Sequence, residues 1–280
     1  MSNILYKYYK RRVDNLISQL EKVKTSSDMK DIHNVRKEIK KIRSIIYFLR
    51  YISPKSLDKH AFNEQFNDLK ELFEYTGKLR EAQVNLMNIE KYKLASPEAK
   101  SYKDYLKIEE NKLLSGFKKI TDEFNTQKLD DNSLKIKKLF KDNSNEKTAV
   151  KSRDFIMHLV KKINKIQKKA SETNKYHEVR IHLRKLAAIS ELLFEINKDK
   201  KYKKFIREIN KTSSELGNWH DRVILRDSIL EFIKKIPKTT NHRTQTTELK
   251  SLITRINKTN KLKAESFDSD INSSLKLFKK

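Results

Sequence analysis

His33-Asn-Val-Arg36-Lys-Glu-Ile-Lys40-Lys-Ile-Arg43-Ser-Ile-Ile-Tyr-Phe-Leu49 is the stretch that decides the fold, because a second stretch, His177-Glu-Val-Arg180-Ile-His-Leu-Arg184-Lys-Leu186, repeats its pattern 144 residues later. At about 100° per residue, His33, Arg36, Lys40 and Arg43 fall in a stripe under about 90° wide. Ile32, Val35, Ile39, Ile42, Ile46 and Leu49 form an adjacent apolar stripe. A helix with this pattern packs with one edge and presents cations with the next. The second stretch does the same, with Val179, Leu183, Leu186 and Leu193 beside His177, Arg180 and Arg184.

Further echoes lie downstream. Gly77-Lys-Leu-Arg80-Glu81 recurs as Gly217-Asn-Trp-His220-Asp221, an offset of 140, and Pro97 recurs as Pro237 at the same offset. The 280 residues hold only 3 Gly and 3 Pro, so four of these six residues occupy matched places. Such matching points to a tandem duplication of a helical unit. The composition agrees, since a β-rich fold needs turn residues every 8–12 positions and has almost none here. The expected fold is all-α, with two tandem helical-bundle repeats related by pseudo-twofold symmetry.

The 3.6-residue period and its stop signals place helices near 3–24, 28–52, 55–76 (ending at Gly77), 78–94 and 97–125. Residues 126–148, rich in Asn, Asp, Ser and Lys, read as a linker with one short helix at 133–141. Helices then resume near 149–171, 174–197, 199–216, 218–235 and 244–263, followed by a frayed tail. The domain reading is one unit over 1–280, its first repeat 1–125 and its second 149–280.

Charge bounds the function. With 64 Lys+Arg against 37 Asp+Glu, the net charge is +27, and an anionic partner would relieve the self-repulsion. Nucleic acid, an anionic membrane surface and a polyphosphate chain all qualify. Lysine drift in an AT-rich genome would also raise the total, as 50 of the 64 are Lys. Drift does not place His and Arg twice at one spacing. A basic face can simply be solvated, but duplication and the planar fork of Arg favour phosphate recognition. The longest apolar run, Ile45 to Leu49, is far short of a membrane span. A soluble, cytoplasmic protein is expected.

The inventory argues against an enzyme. No Cys is present, which removes thiolate chemistry and Cys-ligated zinc. The three glycines are too scattered for a phosphate loop, and no Gly-x-Ser-x-Gly elbow occurs. His220-Asp221 matches in type the His-Asp pair of metal phosphohydrolases, but it is read as structural, at a helix start matched by Arg80-Glu81. His177 and His182, five residues apart on a helix, cannot chelate one ion. No metal and no cofactor are expected.

The two strings, each followed by a Leu/Thr-Gly-x-x-x-Asp/Glu turn, resemble the CHAD family, the conserved-histidine α-helical domain. The resemblance covers essentially the whole chain. It implies two bundle-like halves with a basic surface or pore that binds inorganic polyphosphate, and a location at polyphosphate granules. Carried over, the binding positions would be His33, Arg36, Lys40 and Arg43 with His177, Arg180 and Arg184. Lys37, Lys41 and Lys185 flank the stripe, and Arg80 would add a contact near a helix start. Two departures are visible. Ala187-Ala188 stands where the family usually shows Arg-Tyr, so the second half would grip more weakly there, and Glu81 replaces the usual Asp. The triphosphate-tunnel domain of some members has no room before the first repeat, and no Glu-x-Glu-x-Lys signature is seen. His33 and His177 would add cationic donors mainly below about pH 6.5.

The alternative is a helical nucleic-acid-binding protein using Tyr8 and Tyr9 as stacking platforms among Lys7, Lys10 and Arg11. An aromatic cluster at helical spacing such as Tyr6, Tyr8 and Tyr9 is more often core. On the family reading, nucleic acid would be only a weaker competitor for polyphosphate.

Overall fold

A computed structural model describes residues 3–26, 28–54, 67–141, 144–168, 172–236 and 246–278. Among the described residues there is no strand. The helices are α1 (Ile4–Ser26), α2 (Met29–Ile52), α3 (Asn67–Lys91), α4 (Pro97–Glu123), α5 (Gln127–Leu139), α6 (Asn145–Gln167), α7 (Glu172–Asn197), α8 (Lys200–Lys235) and α9 (Thr247–Lys276). Local signals set several starts. Ser96 accepts from the Ala99 amide with Pro97 in the first turn, Ser144 accepts from Lys147, and Asp199 from Lys201.

The expected breaks at the glycines are absent. One helix, α3, runs through Gly77, where two were expected at 55–76 and 78–94. Likewise α8 runs unbroken through Gly217 for 36 residues. An isolated helical Gly costs only about 1 kcal/mol, which packing on both sides of it outweighs, and no glycine has positive φ. Residues 55–66, where the third expected helix began, and Pro237 lie outside the described residues. The short helix expected at 133–141 spans 127–139 instead. It buries Leu129, Ile136 and the following Phe140, so this stretch is packed. The frayed tail is likewise helix: α9 continues to Lys276 because Phe267, Ile271 and Leu275 dock into the core.

Contacts between helices follow a regular scheme. Neighbours in sequence pack in two series, α1–α2–α3–α4 and α6–α7–α8–α9, and α2 meets α7, α3 meets α8 and α4 meets α9. The apolar stripes of the two strings all lie inside, from Ile32 and Val35 to Leu49 and from Val179 to Leu193. One large core spans both series, and a second, smaller one joins the far ends of α3 and α8 to α4 and α9, through Ile89, Tyr102, Leu225 and Leu252. Between Leu79 and Ile89 on α3, and between Trp219 and Leu225 on α8, the chain passes from one core to the other. Arg80 and Glu81 on the first stretch and His220 and Asp221 on the second belong to the candidate site. Tyr8 and Tyr9 are fully buried in the large core and offer no face to a base, which removes the platforms of the nucleic-acid reading.

Candidate functional site

The basic stripe of α2 and that of α7 are brought together where the two helices pack, and α3 and α8 close over them. Two arginines are seated on glycines. The Arg36 guanidinium donates from Nη1 to the Phe73 carbonyl (2.7 Å) and to Thr76 Oγ1 (3.1 Å), and stands 4.6 Å above the Phe73 ring. A Cβ on Gly77 would lie 3.1 Å from that Nη1. On the other side, a Cβ on Gly217 would lie 2.6 Å from Arg180 Nη2 and 3.0 Å from its Cζ. Each glycine lets a guanidinium lie on the helix backbone. Arg180 is held less tightly, since its buried Nε has no partner among the described residues.

The electrostatics show that the stripes share one field. Lys40 is driven down to about 6, by burial first and then by Arg184, Arg36 and Arg180. Arg184 falls to about 9 through burial, Arg180 and Arg36, and Arg36 to about 10 through burial, Arg80 and Arg180. His33 is pushed to about 4 by partial burial, Arg80, Lys40 and Lys37. Cations of the first string thus feel those of the second, and crowding of like charge in a partly dry place disfavours every charged form. His33 is therefore neutral well below pH 6.5, against the expectation that it charges near that value. His177 is lowered as well, by burial, Arg180 and Arg184.

Residues read as caps belong to this group. His220 lies tilted against His177 with centroids 4.6 Å apart and is held near 4 by burial, His177, Arg180 and Arg184. Asp221 draws on Lys40, Arg80, Arg180 and Arg184, while Glu81 draws on Arg36 and is itself raised by burial and Asp221. Both carboxylates, with Arg80 and His220, lie mid-helix, one turn past the glycines, so none caps a helix start. The signal that finds them is the 140-residue echo itself. Among the described residues neither carboxylate makes an ion pair within 4.0 Å, so four arginines (Arg36, Arg80, Arg180 and Arg184) and the depressed Lys40 face two acids without contact neutralisation.

The remaining sequence candidates are placed differently. Arg43 stands 4.4 Å over the Phe73 ring, one turn along α2. Lys37 is exposed and reaches the group only through its effect on His33. Lys41 points elsewhere, pairing with Glu191 at 2.8 Å beside Tyr8, which donates to the same carboxylate at 2.9 Å. Lys185 sits 3.5 Å from the centre of the Tyr47 ring. Ala187 and Ala188, opposite in type to the family's Arg-Tyr, are buried packing residues. His182 Nδ1 lies 2.8 Å from the Glu178 carbonyl of its own helix.

A family model described as CHAD domain matches residues 7–230. The chain belongs to the CHAD domain family. The CHAD fold is seen also in solved structures. The crystal structure of the CHAD domain from the plant Ricinus communis superposes with a TM-score of 0.77 at 14% identity, covering 97% of this chain and 91% of that one. PptA from Streptomyces chartreusis superposes with a TM-score of 0.68 at 8% identity, covering 99% of both chains. No curated protein sequence matches the chain. Among the described residues no helix is long and apolar enough to cross a membrane.

Proposed function

We propose that this CHAD protein binds inorganic polyphosphate between the stripes of α2 and α7, and that it binds the chain without turning it over. The observation that carries the reading is the convergence of Arg180 and Arg184 on His33, Arg36 and Lys40, with the nearby acids Glu81 and Asp221 acting from a distance and in ion-pair contact with none of them. A repeating anion supplies what the fold withholds. Each phosphate entering the group restores charge to Lys40 and takes donors from Arg180, whose Nε lacks a partner, and multiple contacts add by counterion release. Arg36 and Arg180 grip from the glycine seats, Lys40 and Arg184 neutralise between them, and Arg80 extends the path. A cytoplasmic location at polyphosphate granules fits such a binder. Paired seats, Arg36 on Gly77 and Arg180 on Gly217, also support a duplicated unit with pseudo-twofold symmetry, its halves 1–125 and 149–280.

The test is binding of fluorescent long-chain polyphosphate at about 0.15 M salt, competed by single-stranded RNA and duplex DNA at matched phosphate. Polyphosphate should win, and Arg36→Ala with Arg180→Ala should weaken it by about tenfold or more. The exposed pair Lys118→Ala with Lys261→Ala should cost far less. Equal losses from the two pairs, or RNA competing as well as polyphosphate, would overturn the reading.

A further inference from the structure

The outer face of α2 carries a second arrangement that a phosphate chain does not use. Arg43, Tyr47, Arg50 and Tyr51 project within about 100° of one another on the helix. Tyr47 is 44% exposed and Tyr51 40%, in a chain whose other large rings are mostly core. Each ring is held from a neighbouring helix: Lys185 of α7 over Tyr47 at 3.5 Å, Phe155 and His158 of α6 against Tyr51 at 5.0 and 5.2 Å. Cations stand near both rings: Lys185 is pushed down to about 8 by burial first and then by Lys162 and Arg43, and His158 is lowered by burial, Lys162 and Lys161. Next to Tyr47 opens a cavity of about 380 Å³ lined by Arg43, Arg50, Asn67 and Lys70. Acids stand on this side as well: Glu74 pairs with Lys70 at 3.8 Å and draws on Arg43, and exposed Asp154 lies one turn before His158 on α6.

We propose that this face, formed by α2, α6 and α7, is a separate site for single-stranded nucleic acid. Cations alone would suit any polyanion, but two exposed rings among them suit one whose monomers carry π faces. Tyr47 and Tyr51 stand one helical turn apart, about 6 Å of rise. That is wider than the 3.4 Å of stacked bases, so an unstacked strand can lay successive bases on successive rings. The cavity has the volume of a small-ligand pocket, enough for one splayed base, with Asn67 as a hydrogen-bonding group and Arg43, Arg50 and Lys70 for the phosphates. Lys185 on Tyr47 completes a cation–ring pair of the kind such platforms use.

The experiment measures anisotropy of a fluorescein-labelled twelve-nucleotide uridine RNA on the full chain, with long-chain polyphosphate binding measured in parallel. Tyr47→Leu with Tyr51→Leu should weaken RNA by at least about fivefold per ring, and should leave polyphosphate within about twofold. Tyr47→Phe with Tyr51→Phe, which keeps the π faces, should hold RNA near wild type. A Tyr47→Trp variant should be quenched by RNA and not by polyphosphate, and it decides the matter if the leucine variant does not fold. RNA affinity unmoved by the leucines, no binding by wild type, or polyphosphate falling in step with RNA would each overturn the proposal.

Discussion

Gly217→Ala tests the site through one methyl group. The position is in the interior of α8 with ordinary helical φ, so alanine fits the backbone and helix propensity alone would favour it by about 0.5–1 kcal/mol. The added Cβ would stand 2.6 Å from Arg180 Nη2, 3.0 Å from Cζ and 3.1 Å from Nε. Ordinary contact needs about 3.5–4.0 Å, so the guanidinium must move by roughly 1 Å. Because it is the far end of a flexible side chain, it leaves its seat before the helices part. Folding should therefore stay within about 1 kcal/mol of wild type. Polyphosphate binding should weaken by about tenfold or more, since a charge-assisted bond from a fixed Arg contributes about 1.5–3 kcal/mol. Melting and polyphosphate titration are measured on Gly217→Ala, Arg180→Ala and the double variant. The cycle should be strongly non-additive, because both changes remove the same group. Gly217→Ala binding within twofold of wild type at unchanged melting temperature would refute the argument that the glycine serves the arginine. Gly77→Ala should be milder, at most about threefold, because its Cβ meets Arg36 at 3.1 Å and two hydrogen bonds hold that side chain.

Lys40 links binding to pH: held at about 6 in the free protein, it must take up a proton when an anion restores its charge, so polyphosphate affinity should rise about tenfold per unit as pH falls from 8 to 7. Calorimetry in buffers of different ionisation heat counts that proton, and Lys40→Met should abolish it; pH-independent affinity in wild type would contradict the assignment. For the free protein the sign follows from the same shift. The unfolded chain holds the lysine proton up to about 10.5 and the fold releases it above about 6, so this residue makes stability rise with pH across that window. Asp221→Asn removes the acid that draws on Lys40, Arg80, Arg180 and Arg184, and should tighten polyphosphate by about threefold while lowering the melting temperature; weaker binding would mean that Asp221 positions those cations. Gly116→Ala should cost about 1–3 kcal/mol in thermal unfolding without changing affinity relative to stability, because its Cβ would fall 1.8 Å from Tyr75 Oη; an unchanged melting temperature would refute that packing argument.

The helical class and the two cationic stripes were legible because both rest on periodicity, and the 3.6-residue spacing survives any tertiary context. What the periodicity lacks is the third dimension. It could not show that Lys40 faces Arg184, because two stripes 144 residues apart converge only through the packing of α2 on α7. Nor could it separate Lys41 from Lys40. One residue along the helix, Lys41 turns to Glu191 and Tyr8 while its neighbour enters the crowded group. Tyr8 and Tyr9 sit among cations in sequence but inside the core in space, whereas Tyr47, within an apolar run, and Tyr51, just past it, are the exposed pair.

The glycines show where local rules mislead. Read as stop signals, they cut two long helices in half and put Arg80, Glu81, His220 and Asp221 at helix starts, Arg80 as an added contact and the His220-Asp221 pair as structural; as residues without a Cβ, they place all four beside the two seated arginines. The distinction is physical. A stop glycine needs left-handed backbone, and none of the three has positive φ, so the only property left to explain them is the missing side chain. Gly116 gives the control within the same fold, for it seats Tyr75, a packing ring. Close approach by itself therefore does not mark a functional glycine. What marks Gly77 and Gly217 is the charge of the group they admit: a guanidinium laid on a helix backbone, among other cations, raises the energy of the free protein. On the proposed function, an outside anion lowers that energy again at both seats.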